Sequence, residues 1–185
     1  MNERFVYILL TDTGTVFTKT IKTYTKAPYN HSSLALDSDL IQLYSFGRKK
    51  PNNPFKAGFV QEDVVNGTYK KYPQTTCALY EVPVSERQYQ KICRMLELFK
   101  KNNQKTIYNL MGVFGVAVKA PFEPQGSYFC SQFVAEILHK AGVNLWTKLP
   151  ALIEPNDFRE AQVTKLVYEG LLNEYPPVWL RSERT

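Results

Sequence analysis

A chain of 185 residues with 44% hydrophobic content is long enough for one full-sized core and too short for two. The net charge of +6 comes from lysines and arginines spread along the chain, and the only clusters, Arg48-Lys-Lys50 and Lys100-Lys101, are short. They read as solvated faces, and without aromatic-basic interleaving no nucleic-acid partner is expected. Three cysteines with no Cys-x-x-Cys pair argue against a disulfide framework or a zinc site, and no Gly-rich phosphate loop is present, so neither cofactor nor metal is expected.

The first strand is expected at Phe5 to Leu10, a six-residue apolar run too short for a signal peptide or a membrane span. A reduced, cytoplasmic chain with no transmembrane segment is the expectation, and nothing fixes its oligomeric state. Thr11-Asp-Thr-Gly14 forms the exit turn, and Val16, Phe17, Ile21 and Tyr24 follow near-helical spacing until Pro28. Pro28-Tyr-Asn-His-Ser-Ser-Leu-Ala-Leu36 then opens a half-buried strand at His31. Asp37-Ser-Asp39 turns the chain, and Leu40 to Phe46 returns antiparallel.

From Arg48 to Pro73 the Asn, Gly, Lys and Pro content predicts irregular excursions around short strands such as Phe59 to Val60. Thr75 to Val82 is a stronger strand, with Cys77 as a small core residue. Ser85-Glu-Arg-Gln88 is a capping box, and Tyr89, Ile92, Met95, Leu96 and Phe99 mark an amphipathic helix to about Lys101, with Cys93 inert beside the stripe. Tyr108 to Val118 reads as a core helix, with a membrane- or acyl-contacting surface as the sharper alternative. After Gly142 come a loop at Trp146 and Leu149-Pro150, a proline-led turn into a short helical segment at Glu154 to Phe158, a final strand at Leu166 to Tyr168, and a stiff Pro176-Pro-Val-Trp-Leu180.

The chemistry centres on Gly126-Ser-Tyr-Phe-Cys-Ser-Gln-Phe-Val134, where helical spacing begins at Phe129 and places Cys130 in the first turn. Unpaired N–H groups and the positive end of the helix dipole favour a thiolate there. A cysteine nucleophile needs a base, and the chain has two histidines. His139 lies nine residues along the same helix, on its opposite face and roughly 13 Å further along the axis. His31 is left by elimination. The plain alternatives are a buried structural cysteine and a satisfied structural histidine.

Tyr128-Phe-Cys-Ser-Gln-Phe-Val134 resembles the helix start of the NlpC/P60 superfamily of papain-like cysteine peptidases and amidases, and His31 resembles the histidine that opens a core strand there. With the histidine before the cysteine, the order is similar to the circularly permuted branch, the YiiX-like proteins related to lecithin:retinol acyltransferase. His31 to Leu36, Leu43-Tyr-Ser-Phe-Gly-Arg48 and Asn53-Pro-Phe-Lys-Ala-Gly-Phe-Val60 share that likeness. The resemblance runs from about Phe5 to Tyr168. It implies an α+β permuted papain-like fold, an antiparallel sheet or half-barrel packed on helices, forming one domain over residues 1–185 with a C-terminal extension from about 175.

The implied activity is a thiol hydrolase in which Cys130 attacks a peptide or isopeptide amide and His31 moves the proton. Acyl transfer or thioesterase action on an acyl ester, or a catalytically silent binding module, is the alternative. A peptide, amino-acid or acyl small molecule is the implied partner, and a missing export signal favours intracellular peptides over cell-wall material. In that branch a polar residue on the strand after the histidine orients the ring, which nominates Gln42, Tyr44 or Ser45, with Tyr44 preferred and a core aromatic as its plain alternative. Side chains alternate along a strand, so Gln42 and Tyr44 share a face and a one-residue slip brings in Ser45 instead.

Overall fold

The computed structural model describes residues 3–15, 27–50, 53–102, 107–108 and 127–176. The expected helix at Val16 to Tyr24, the Tyr108 to Val118 helix beyond its first residue, and the segment after Pro176 fall outside them. Six strands form one antiparallel sheet in the order β4-β3-β2-β1-β5-β8. They are β1 (Arg4–Asp12), β2 (His31–Ala35), β3 (Leu43–Lys50), β4 (Asn53–Glu62), β5 (Thr76–Val84) and β8 (Lys165–Leu171). The class is therefore mixed α and β around an antiparallel sheet. Two short strands, β6 (Ile107–Tyr108) and β7 (Ser127–Tyr128), pair in parallel, so Tyr108 is extended rather than helical.

The sheet is covered on both faces because its strands alternate two apolar sets. Val6, Ile8, Leu10, Leu34, Tyr44, Phe46, Phe59 and Val82 meet helix α2 (Glu86–Lys101) and helix α3 (Cys130–Ala141). On the other face, Leu9, Ala35, Leu43, Cys77 and Leu79 meet Leu40, Leu172 and Tyr69 of the short helix α1 (Thr68–Lys71). Helix α4 spans Asp157–Glu160, where the proline-led turn is expected to enter a short helical segment.

Helix α2 begins as its sequence dictates. The Ser85 hydroxyl accepts from the Gln88 amide, and the Gln88 side chain accepts from the Ser85 amide. Two N–H groups otherwise lacking helical partners are thereby satisfied. Helix α3 is buried along most of its length through Phe133, Val134, Ile137 and Leu138, and Gly142 ends it in the left-handed region at φ 87°. Burial of each such side chain is worth about 1.5–3 kcal/mol, which fixes the helix against the sheet.

The stretch from Arg48 to Glu62 departs from the expected irregular excursion. β3 continues to Lys50 and β4 begins at Asn53, paired from Lys50↔Asn53 to Leu43↔Glu62 across a bulge near Arg48. Pairing with β3 outweighs the low strand preference of the Asn, Pro and Gly residues in this segment. The hairpin carries Glu62 to the end of its second strand, level with Leu43.

Candidate active site

Three elements deliver the side chains of the site. His31 is the first residue of β2, Cys130 the first of α3 after the extended N-cap Phe129, and Glu62 the last of β4. The structure brings Cys130 and His31 together, with a hydrogen bond between their side chains. The Nε2 of His31 lies 2.7 Å from Oε1 of Glu62. With Nε2 committed to the carboxylate, Nδ1 is the nitrogen left for the sulfur, so the imidazole bridges the other two groups.

Glu62 is the member that sequence reasoning missed. Cross-strand partners share a face of a sheet, and the registers Ala35↔Leu43 and Leu43↔Glu62 put Glu62 on the face of His31 and Ser33. The same register, Leu34↔Tyr44, sends Tyr44 to the opposite face. Tyr44 is therefore not the residue that orients the imidazole. It is 1% exposed in the aromatic core, stacked on Phe59 at 5.9 Å between centroids, with the Lys100 ammonium 4.9 Å from its ring centre. Gln42 precedes β3 and is exposed. Ser45 does reach the site, as a donor to Glu62 rather than to His31. A usable signal was the polar pair His31 and Ser33 at two-residue spacing, with Ser45 on the returning strand, which marks a polar patch on an otherwise apolar face and calls for a charged partner.

Glu62 has no acceptor capacity to spare. Oε1 receives His31 and the Ser45 hydroxyl at 2.6 Å, and Oε2 receives the hydroxyls of Ser33 at 2.8 Å and Tyr69 at 2.9 Å. Two donors on each oxygen fill the four lone-pair sites of a carboxylate. Gly47 lies against the ring on the same face: a Cβ there would stand 3.3 Å from Ser45 Oγ and 3.5 Å from His31 Cε1. Its lack of a side chain leaves the imidazole room between β3 and β2.

The electrostatics follow from these contacts. Burial works against a charged His31, but the Glu62 charge and the hydrogen bonds that the ring donates to Cys130 and Glu62 outweigh it and raise the ring to about 10. Burial likewise opposes an ionised Glu62, and the His31 charge with the His31, Ser45 and Ser33 hydrogen bonds lowers it to about 2. For Cys130 burial favours the thiol. The hydrogen bond and charge of His31 and the backbone N–H groups of Ser32 and Ser131 win, and its pKa is lowered. The Cys130 surroundings thus favour the thiolate beside an imidazole that the Glu62 carboxylate holds in its charged form.

The other cysteines lack such neighbours. Burial pushes the Cys77 thiol up to about 12 and also raises Cys93. His139 sits exposed in the last turn of α3, away from the sulfur. Cys130 is 7% exposed and the His31 side chain 23%, so the pair meets solvent mainly through the imidazole.

The lowered carboxylate has a consequence for stability. Glu62 binds a proton below about 4.5 in the unfolded chain but only near 2 when folded, so its contribution is complete above about 4.5 and lost as pH falls toward about 2. His31 has the opposite sign: its contribution is complete below about 6.5 and lost as pH rises through about 10. The urea midpoint of the wild type is expected to fall between about pH 4.5 and 2 more steeply than that of Glu62→Gln, and parallel curves would refute the linkage.

Among the described residues no group of three or more His, Cys, Asp or Glu side chains is arranged to hold a metal ion, and no helix is long and apolar enough to cross a membrane. No model of a known protein family matches the chain, and no curated protein matches it in sequence.

Proposed function

We propose that the protein is a thiol hydrolase of the permuted NlpC/P60 type, with Cys130 as nucleophile, His31 as general acid and base, and Glu62 orienting the imidazole. The observation that carries this reading is the juxtaposition of the three side chains, Cys130 hydrogen-bonded to His31 and His31 Nε2 2.7 Å from Glu62 Oε1. The order of histidine strand, following strands and late cysteine helix is that of the permuted branch, and it supports a permuted papain-like fold.

In the first step Sγ of Cys130 bonds to the carbonyl carbon and the carbonyl π electrons move to oxygen. The donors available to that oxyanion are the N–H groups at the start of α3. Collapse re-forms the carbonyl and breaks the bond to the leaving nitrogen, which takes the proton from His31. Water then adds to the thioester while His31 accepts its proton, the C–S bond breaks, and an acid product leaves. The substrate class is a peptide or isopeptide amide. The same steps with an alkoxide or thiolate leaving group describe the ester and thioester alternatives.

The test is labelling of wild type, Cys130→Ala and His31→Ala with an acylating probe, followed by mass spectrometry. Label is expected on Cys130, none in Cys130→Ala, and a rate lower by on the order of 10²–10⁴-fold in His31→Ala. Labelling of His31→Ala at the wild-type rate would refute its role. A Cys130 that reacts with iodoacetamide no faster than Cys77 and Cys93 at neutral pH would leave a binding module as the better description.

A further inference from the structure

Glu62 has a donor that its strand neighbours do not explain. Ser33 and Ser45 reach it from β2 and β3, but Tyr69 arrives from α1, seven residues past Glu62 and after a turn in which Asp63 accepts from the Val65 and Asn66 amides. The Tyr69 ring packs with Leu9, Ala35 and Leu43, a role that phenylalanine would fill without burying a hydroxyl. That hydroxyl has one proton. Committed to Glu62 Oε2, it leaves the phenol oxygen to accept from Thr11, whose hydroxyl lies 3.4 Å away.

The hydrogen bonds therefore run in one direction, from Thr11 to Tyr69 to Glu62, and meet the His31 bond at the same carboxylate. The titratable groups facing Glu62 are His31 from β2, Tyr69 from α1 and, beyond the imidazole, Cys130 from α3. β1 contributes Thr11, and β3 contributes Ser45 and Gly47, none of them charged.

We propose that Tyr69 is a positioning residue of this site: its hydroxyl fixes the Glu62 carboxylate against His31, so the docking of α1 sets how strongly Cys130 and His31 pair. This rests on the thiol-hydrolase reading and extends it to a segment that touches neither the sulfur nor the imidazole. Without the hydroxyl, Oε2 loses a charge-assisted hydrogen bond, the carboxylate is freer to turn from the ring, and the imidazolium is less favoured.

The experiment compares wild type, Tyr69→Phe and Thr11→Val by the rate of Cys130 alkylation with iodoacetamide between about pH 5 and 9, by NMR titration of the His31 ring, and by thermal unfolding. In Tyr69→Phe, alkylation is expected to slow about tenfold near pH 6 and to recover near pH 9, while the His31 midpoint moves down. Thr11→Val is expected to move both in the same direction by less. A variant that is less stable yet keeps the wild-type pH profile and His31 midpoint would overturn the proposal. If Tyr69→Phe does not fold, an unshifted His31 midpoint in Thr11→Val overturns it. A wild-type Cys130 no faster than Cys77 and Cys93 would instead refute the thiol-hydrolase reading itself.

Discussion

Replacing Glu62 with glutamine is expected to slow acylation of Cys130 by on the order of 10²–10⁴-fold while leaving the chain folded. The substitution keeps the shape of the side chain but removes the charge that holds His31 protonated. Burial then dominates, the imidazole becomes neutral near pH 7, and the sulfur loses its counter-ion. A glutamine also turns an NH2 toward donors at one of the two former oxygens, where His31 and Ser45 or Ser33 and Tyr69 need an acceptor. The loss should be greatest near pH 6 and smaller near pH 9, where hydroxide forms the thiolate unaided. The control is Tyr44→Phe, whose hydroxyl partner is Lys100 on the other face of the sheet; its acylation rate should stay within about twofold of wild type. A larger fall in Tyr44→Phe than in Glu62→Gln would return the orienting role to the strand after His31.

Phe133→Ala is expected to destabilise the fold by ~3–5 kcal/mol, read from the urea midpoint, with the thermal midpoint falling by on the order of 10 °C. Phe133 is fully buried on α3, and its ring centroid lies 5.1 Å from Phe46, 5.2 Å from Phe99 and 5.7 Å from Phe59. Its removal opens a void at the point where α3, α2 and the β3–β4 hairpin meet, and edge-to-face contacts are lost with it. Leu98→Ala, at a leucine 58% exposed on α2, should change stability by less than about 0.5 kcal/mol. Equal effects at the two positions would mean that the aromatic cluster does not anchor the helix.

What could be read from the residues was local. The Cys130 helix, the His31 strand, the capping box at Ser85 and the strand before it all announce themselves within a few positions, through spacing and terminal chemistry. Glu62 did not, because its place depends on register. Nothing within β3 states whether Tyr44 or Ser45 lies level with Ser33, and a shift of one residue exchanges the faces. The segment that carries Glu62 was also disguised: Asn53, Pro54 and Gly58 read as loop, and only pairing with β3 makes a ten-residue strand of them. Helix α1, four residues long with no side-chain cap, offers too little period to detect, although it brings in Tyr69.

The N-terminal position of Cys130 on α3 makes its sulfur a reporter of the finished fold. In most proteins a buried thiol is silent until denaturant uncovers it, and Cys77 follows that pattern. Cys130 runs the other way, since its ionisation is borrowed from an imidazole ninety-nine positions earlier in the chain and from the amides of a docked helix. A nascent or unravelled polypeptide carries an ordinary cysteine there, so the sulfur gains its lowered pKa only once β2 and α3 have come together.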